Sequence, residues 1–183
     1  MINKTVINID RISIFSVQTE EQYLQNKDLI DINEIEPIYG NNALWGADED
    51  KTSWLIKHGI NINHTNGDDF NVLFVTGNTI SKIKILVEHG IDINHVDRDG
   101  FNALFHFNHY PELEITKHLL KIGIDTDMYK GPTAEEELFQ HMPVRFVNLI
   151  KEQIAIDTSK CEKEILSNVL NTKEIKLTKR ERL

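Results

Sequence analysis

The sequence predicts an all-α solenoid, in which helical units of nearly equal length stack side by side. The first observation is a repeated phrase. Gly-Ile-Asn-Ile-Asn-His at 59–64 returns as Gly-Ile-Asp-Ile-Asn-His at 90–95, and a divergent copy, Gly-Ile-Asp-Thr-Asp-Met, occupies 123–128. The three glycines are 31 (90 − 59) and 33 (123 − 90) residues apart. A fixed period in this range indicates stacked supersecondary units and an extended surface rather than a catalytic pocket.

The second observation is another phrase that precedes each glycine phrase. It occurs three times, as Asn-Ala-Leu-Trp at 42–45, Asn-Val-Leu-Phe at 71–74 and Asn-Ala-Leu-Phe at 102–105. An amphipathic run separates the two phrases in each unit, with apolar residues at helical spacing. Each unit should therefore hold two helices. We expect its central leucine (Leu44, Leu73 or Leu104) to lie inside the first helix and to be buried.

The glycine of each unit should end the second helix. Gly59, Gly90 and Gly123 follow the amphipathic runs, where a residue in the left-handed conformation closes the last turn without strain from a Cβ atom. The alternating Ile-Asn-Ile-Asn that follows predicts a short extended segment with apolar residues inward and polar residues outward.

This order of phrases resembles the ankyrin repeat from about residue 37 to residue 130. Asn-Ala-Leu-Phe looks like the family's Thr-Pro-Leu-His, and Gly-Ile-Asp-Ile-Asn looks like its Gly-Ala-Asp-Val-Asn. The stretch 97–100, Asp-Arg-Asp-Gly, looks like its Asp-x-x-Gly tip. Two departures stand out, because no unit has the Thr-Pro pair and Asp69 replaces the tip glycine of the second unit. The resemblance implies an ankyrin-repeat solenoid of stacked helix-turn-helix units with capping helices at both ends.

The same register divides the chain into four segments. They are an N-terminal capping repeat (1–36), three ankyrin repeats (37–130), a C-terminal divergent repeat with a capping helix (131–172) and a basic tail (173–183). Residues 1–17 fit either a strand or a helix, with helix favoured, and 20–27 has a helical composition. In the third segment we expect Thr133 to cap a helix, Pro143 to start a second one over 144–154, and 159–170 to form a last helix with Ile165 inward.

Composition limits the partners and the compartment. The net charge is −9, and residues 1–172 carry −12 (15 basic minus 27 acidic), so nucleic acid is a poor partner. The basic tail is either a solvated terminus, which we favour, or a basic patch. A single cysteine, Cys161, is typical of a reducing compartment. Without a leader or a long apolar run, we expect a cytoplasmic protein that does not enter a membrane.

Motifs for chemistry are missing from the sequence. It contains no phosphate-binding glycine loop, no Cys-x-x-Cys pair and no Gly-x-Ser-x-Gly. Four of the eight histidines recur at equivalent positions of the units (His58, His89, His64 and His95), which favours a structural ladder over a metal site. Cys161 has no histidine near it in sequence and is expected to be inert. We therefore expect no catalytic residue, no cofactor and no metal.

A binding surface is what the resemblance implies. In ankyrin proteins the partner lies along the concave side and contacts the turn tips and the ends of the first helices. Carried over position by position, the partner-binding residues here are Tyr39, Asn41, Glu49, Asp50, Asp68, Phe70, Arg98, Asp99, Phe101, His109 and Tyr110. Phe70 and Phe101 follow the tips and are surrounded by acids, so we favour them as anchors in a polar rim. The alternative is that both rings fold under the tips and pack between repeats.

These features predict a protein-binding module that inhibits another protein. Its size and acidity are similar to those of ankyrin-type immunity proteins of bacterial polymorphic toxin systems, which bind and neutralise a cognate toxin in the producing cell. The expected partner is a basic toxin domain, bound by one copy of this chain. The alternative is an ankyrin-repeat effector or scaffold that binds a host protein.

Overall fold

The computed structural model describes residues 11–74, 79–106, 113–127 and 142–180. As predicted, these residues are mainly helical and form no β-strand; one isolated antiparallel bridge joins Val96 to Asn102. The α-helices are α1 (Glu20–Asn26), α2 (Glu49–Lys57), α3 (Ile80–Glu88), α4 (Ala103–His106), α5 (Leu113–Ile122) and α6 (Val144–Arg180). Short 3-10 helices cover Ile14–Ser16, Lys27–Leu29 and Val72–Phe74. The chain divides into two compact units, Met1–Ile115 and Thr116–Leu183.

The second helices of the first two repeats, α2 and α3, begin at capping side chains and pack against each other. Asp48 caps α2 by accepting a hydrogen bond from the N–H of Lys51 (2.8 Å), and Thr79 caps α3 in the same way through Lys82 (3.0 Å). In the first unit α1 packs on α2 and α2 packs on α3. Leu55 and Leu86 are completely buried in these contacts. Neighbouring helices thus cover apolar faces that none of them could bury alone.

The repeated glycines end these helices in the left-handed conformation. Their φ angles are 90° at Gly59, 85° at Gly90 and 92° at Gly123. The N–H of Gly90 donates to the carbonyl of Val87 (3.1 Å), and the N–H of Ile91 donates to that of Leu86 (3.1 Å). The other two glycines repeat both bonds. Two carbonyls of each last turn are therefore satisfied by a motif that favours glycine.

Replacing Gly90 by valine is expected to lower the free energy of unfolding by on the order of 1 kcal/mol or more. An added Cβ would meet no atom within 4 Å, so the cost comes from backbone strain and not from a clash. Urea titration of Gly90→Val, with Gly46→Ala as a substitution at a glycine without positive φ, measures this cost. Equal unfolding midpoints for Gly90→Val and the parent would contradict the assigned role.

Around the three central leucines, the described residues form a turn, a 3-10 helix and an α-helix. Leu44 lies in the turn over 43–46, Leu73 lies in the 3-10 helix Val72–Phe74, and Leu104 lies in α4. All three are buried as predicted, with at most 1% of their surface exposed. The prediction of a helix around Leu44 is wrong, because only five residues separate Asn42 from the cap Asp48. That length is too short for a helix and its connection.

The segments after the glycines are turns rather than extended strands. The side chain of Asn61 accepts a hydrogen bond from the N–H of Asn63 (3.1 Å), and Asp92 does the same for Asn94 (2.9 Å). Such a bond to the residue two positions on bends the chain into a turn. The predicted alternation holds at its first position, because Ile60 is buried while Asn61 is exposed. The polar residues thus close the backbone locally.

Asparagine side chains join consecutive repeats. Asn63 accepts from the N–H of Asp92 (2.7 Å) and donates to the carbonyl of Gly90 (3.1 Å). Asn33 makes the equivalent pair of bonds with Asn61 and Gly59. Each amide therefore satisfies one donor and one acceptor of the following turn, which explains why asparagine returns at this position.

A second set of asparagines is fully buried. Asn71 is 1% exposed, donates to the carbonyl of Asp92 (2.9 Å) and accepts from the N–H of Leu73 (3.0 Å). Asn42 makes the same bonds with Asn61 and Leu44. A buried amide of this kind is stable only when its polar atoms find partners. The asparagine of the first repeated phrase thus joins the turn after the glycine of its unit to the backbone of the buried leucine.

The C-terminal part differs from the prediction. Helix α6 runs without a break from Val144 to Arg180, where separate helices over 144–154 and 159–170 and a basic tail from 173 were expected. Its sequence holds no proline or glycine that would end it. Ile150 is fully buried, but Ile165 is 57% exposed and does not face inward.

None of the described helices is both long enough and apolar enough to cross a membrane. Residues 1–10 and 128–141, with the predicted cap Thr133, lie outside the described residues.

Two buried lysines reach from one repeat to the preceding one. Lys82 is 5% exposed and its Nζ donates to the carbonyl of Leu44 (2.9 Å). Lys51, at the equivalent position of α2, donates to the carbonyl of Val17. Burial lowers the pKa of Lys82 to about 8, although the nearby charge of Asp48 acts in the opposite direction. Burial also lowers the pKa of Lys51.

The stability of the first unit should therefore rise between about pH 8 and pH 10.5, the folded and ordinary pKa values of Lys82. In this window the unfolded chain keeps a proton that the folded chain has released, so unfolding becomes less favourable as the pH rises. The expected gain is about 1–3 kcal/mol. Urea midpoints at several pH values measure it. Lys82→Met removes the titrating amine, so the urea midpoint of this variant should change clearly less with pH. Equal pH dependence in the variant and the parent would show that Lys82 does not cause the rise.

Candidate binding face at the loop tips

Three short loops form the candidate site. They are called here tip 1 (36–41), tip 2 (66–70) and tip 3 (97–101). A side-chain oxygen near the start of each tip accepts backbone N–H groups from its end; the residues are Glu36, Asn66 and Asp97. The N–H of Asn66 also donates to the carbonyl of Phe70 (3.0 Å), and Asp97 bonds Phe101 in the same way (2.8 Å). The tips are thus closed turns that hold their outer side chains in place.

The penultimate residue of each tip takes a positive φ, which is 77° at Gly40, 61° at Asp69 and 84° at Gly100. Asp69 therefore occupies the conformation of the tip glycine that it replaces. Aspartate tolerates this region better than most residues. Its carboxylate is exposed, so the substitution adds an acid to the tip surface.

Hydrogen bonds tie neighbouring tips together. The N–H of Gly67 donates to the carbonyl of Tyr39 (2.8 Å), and a Cβ atom on Gly67 would lie 3.2 Å from that oxygen. Arg98 donates to the carbonyl of Gly67, and its guanidinium lies 3.6 Å from a carboxylate oxygen of Asp68. Tips 1, 2 and 3 therefore form one continuous row.

The histidines at equivalent positions make equivalent contacts. Nε2 of His64 lies 2.6 Å from the carbonyl oxygen of Gly40, and Nε2 of His95 lies 2.5 Å from that of Asp69. Each ring thus donates to the positive-φ residue of the preceding tip. These contacts confirm the predicted structural ladder for this pair. Within the described ranges, no three histidine, cysteine or acidic side chains gather as a metal site.

Aromatic rings line the tips on one side. Phe70 stacks on Phe74 with ring centres 5.0 Å apart and contacts the ring of His106 at 4.7 Å. Phe101 stacks on Phe105 at 4.0 Å. Phe70 and Phe101 are both half-buried. Both rings therefore pack on their own repeat and keep part of their surface exposed, and Phe70 also contacts the next repeat through His106. The packing between repeats that the alternative predicted is thus seen for Phe70, while the role of the two rings as anchors stays a prediction.

An Asp97–His106 pair lies beneath this row and was not predicted. Nε2 of His106 is 2.8 Å from Oδ2 of Asp97, whose side chain is only 3% exposed. Desolvation alone would raise the pKa of Asp97. The bonds from His106, Phe101 and Asp99 outweigh desolvation and hold the pKa below its ordinary value. The pair fixes tip 3 against α4.

The predicted site residues fall into three groups. Exposed ones are Tyr39, Asp50, Asp68, Arg98 and Asp99, and half-buried ones are Asn41, Glu49, Phe70 and Phe101. His109 and Tyr110 lie outside the described residues. Of the described residues in this set, the tips bring together all but Glu49 and Asp50, which lie in the first turn of α2, where Glu49 accepts a hydrogen bond from Thr79. Sequence reasoning missed Ile38, which is 79% exposed.

A cleft of about 520 Å³ lies beside α1 and α2. Two of the acids that line it make contacts within the fold: Glu20 accepts bonds from Lys57 (2.7 Å) and His58 (2.8 Å), and Asp48 caps α2. Both helices are thus held together at this cleft.

The chain matches no protein-family model, and no curated protein matches its sequence.

Proposed function

We propose that this chain is an ankyrin-repeat solenoid that binds another protein through the row of tips and inhibits it. The observation that carries the proposal is the row itself. It presents partly exposed phenylalanine rings and exposed acids on turns that side-chain hydrogen bonds hold rigid. A rigid surface loses little conformational entropy on binding, and half-exposed aromatic residues are typical anchors.

Charge supports a basic partner. Asp68, Asp69 and Asp99 are exposed on tips 2 and 3, and Arg98 offsets only part of their charge. A basic partner surface would be attracted to these tips over the range of the Debye length. Together with the net charge of −9, this favours an immunity protein that neutralises a basic toxin domain. We propose binding, not catalysis, as its mode of action.

The direct test is co-expression with the product of the neighbouring reading frame. We expect this chain to restore growth to cells that the product alone kills, and to form a one-to-one complex with it. A product that is harmless, or that kills equally in the presence of this chain, rejects the immunity function. Binding to a host protein instead would favour the effector or scaffold alternative.

Phe101→Ala is expected to shorten the lifetime of the complex about tenfold, because the ring supplies contact area in the row of tips. The fold should persist, since the residue is only half-buried. Surface plasmon resonance gives the dissociation rate constant. Phe15, half-buried outside the tips, provides the matched control Phe15→Ala. Unchanged dissociation of the Phe101 variant would exclude this ring as an anchor.

A further inference from the structure

Tip 1 carries a highly exposed large apolar side chain. Ile38 is 79% exposed, and its neighbour Tyr39 is 64% exposed. Ile35, just before the tip, is 50% exposed. Single exposed apolar residues are common, but three within five positions form a patch. Such patches on soluble proteins mark sites of interaction.

This tip is held in one conformation. The carboxylate of Glu36 accepts the N–H groups of Ile38 (2.9 Å), Tyr39 (2.7 Å) and Asn41 (3.2 Å). The N–H of Glu36 donates to the carbonyl of Asn41 (3.0 Å). A Cβ atom on Gly40 would lie 3.2 Å from the nitrogen of Gly67, so tips 1 and 2 fit closely. The apolar pair is therefore displayed by a loop that is already ordered.

Tip 1 is also longer than its neighbours. Five positions separate Glu36 from Asn41, whereas four separate Asn66 from Phe70, the residues that make the same backbone bond in tip 2. The additional residue belongs to the Pro-Ile-Tyr stretch at 37–39. Because the ends of the tip are fixed by equivalent bonds, the additional residue lies in the part of the loop that carries the exposed Ile38 and Tyr39.

Acids lie beside this apolar pair. The bond between the Gly67 N–H and the Tyr39 carbonyl (2.8 Å) places tip 2 against tip 1, and Asp68 and Asp69 follow Gly67 directly. Both are exposed. A partner that covers Ile38 and Tyr39 must therefore meet negative charge at the rim of the contact.

We infer that Ile38 and Tyr39 form a preorganised anchor that enters a concave apolar pocket with a basic rim on the partner protein. This inference rests on the proposed function and specifies the surface that it recognises. A projecting rigid pair buries most area in a concavity, and the acids of tip 2 then face the rim. Pockets of this kind are typical of ligand and active sites, so the contact favours direct obstruction of the partner's site.

The test uses the full chain and the product of the neighbouring reading frame as the probe. Ile38→Ser combined with Tyr39→Ser should dissociate at least about 30-fold faster than the parent. Val144→Ser, at a position that is 75% exposed in the other unit, is the matched control and should dissociate like the parent. Circular dichroism melts confirm that each variant is folded.

A second variant tests whether the fixed conformation of tip 1 contributes to binding in addition to its side-chain contacts. Glu36→Ala keeps the side chains of Ile38 and Tyr39 but removes the carboxylate that accepts three backbone N–H groups of the tip. We expect faster amide exchange at both residues and about tenfold weaker binding.

In a separate experiment, a benzophenone amino acid at position 38 of the otherwise unchanged chain should cross-link to residues that line a pocket of the probe.

Dissociation of the double variant within twofold of the parent, or cross-links to a flat face of the probe, would overturn the anchor while leaving the complex intact. If the parent chain forms no complex with the probe, the anchor and the proposed function both fail. Faster dissociation confined to the double variant, with pocket cross-links, supports the anchor.

Discussion

Leu104→Ala is expected to lower the free energy of unfolding by about 2–5 kcal/mol, the usual cost of truncating a buried leucine. Leu104 is completely buried, as is its equivalent Leu44, and its backbone N–H is held by the buried side chain of Asn102 (3.2 Å). Because the loop is fixed in this way, the surrounding residues cannot collapse freely into the space that the side chain leaves.

Chemical denaturation followed by circular dichroism measures this change. Leu24→Ala is the control, because Leu24 is 50% exposed on α1 and should change the stability by no more than about 0.5 kcal/mol. If the Leu104 variant unfolds at the same urea concentration as the parent, this leucine does not belong to the core of the repeats.

The double charge reversal Asp68→Lys with Asp99→Lys is expected to slow association with the basic partner about 100-fold at low salt. Both carboxylates are exposed, so the reversal acts on the encounter rather than on the fold. The difference should shrink as the ionic strength rises, because salt screens charges beyond about 10 Å.

Stopped-flow association at several salt concentrations tests this prediction. Asp157→Lys with Glu162→Lys changes the net charge equally at exposed positions of α6 and serves as the control. Equal slowing by both pairs would show that net charge, not the tips, steers the encounter. If neither pair slows association, charge does not steer the encounter.

The local devices of the repeats could be predicted from the sequence. Gly59 and Gly90 both have a positive φ at the end of a helix, a conformation that favours glycine. A glycine that recurs at a fixed period therefore indicates that the same helix end recurs. The burial of Leu73 follows from the same register. Such features depend on a few neighbouring residues, which the sequence shows directly.

Features that depend on distant residues or on chain length could not be predicted. The Asp97–His106 pair forms because a tip and α4 meet in space. The exposure of Ile38 depends on one extra residue in tip 1 and on the bonds of Glu36. Helix α6 continues past position 155 because its sequence holds no proline or glycine that would end it, although two separate helices were predicted.

Hydrogen–deuterium exchange of the chain, alone and in complex with the product of the neighbouring reading frame, shows whether the row of tips is the binding surface. We expect slower exchange at 36–41, 66–70 and 97–101 in the complex, with little change along the exposed stretch of α6 after Ile150. Protection that is confined to α1 or α6, with the three tips unchanged, would contradict this expectation.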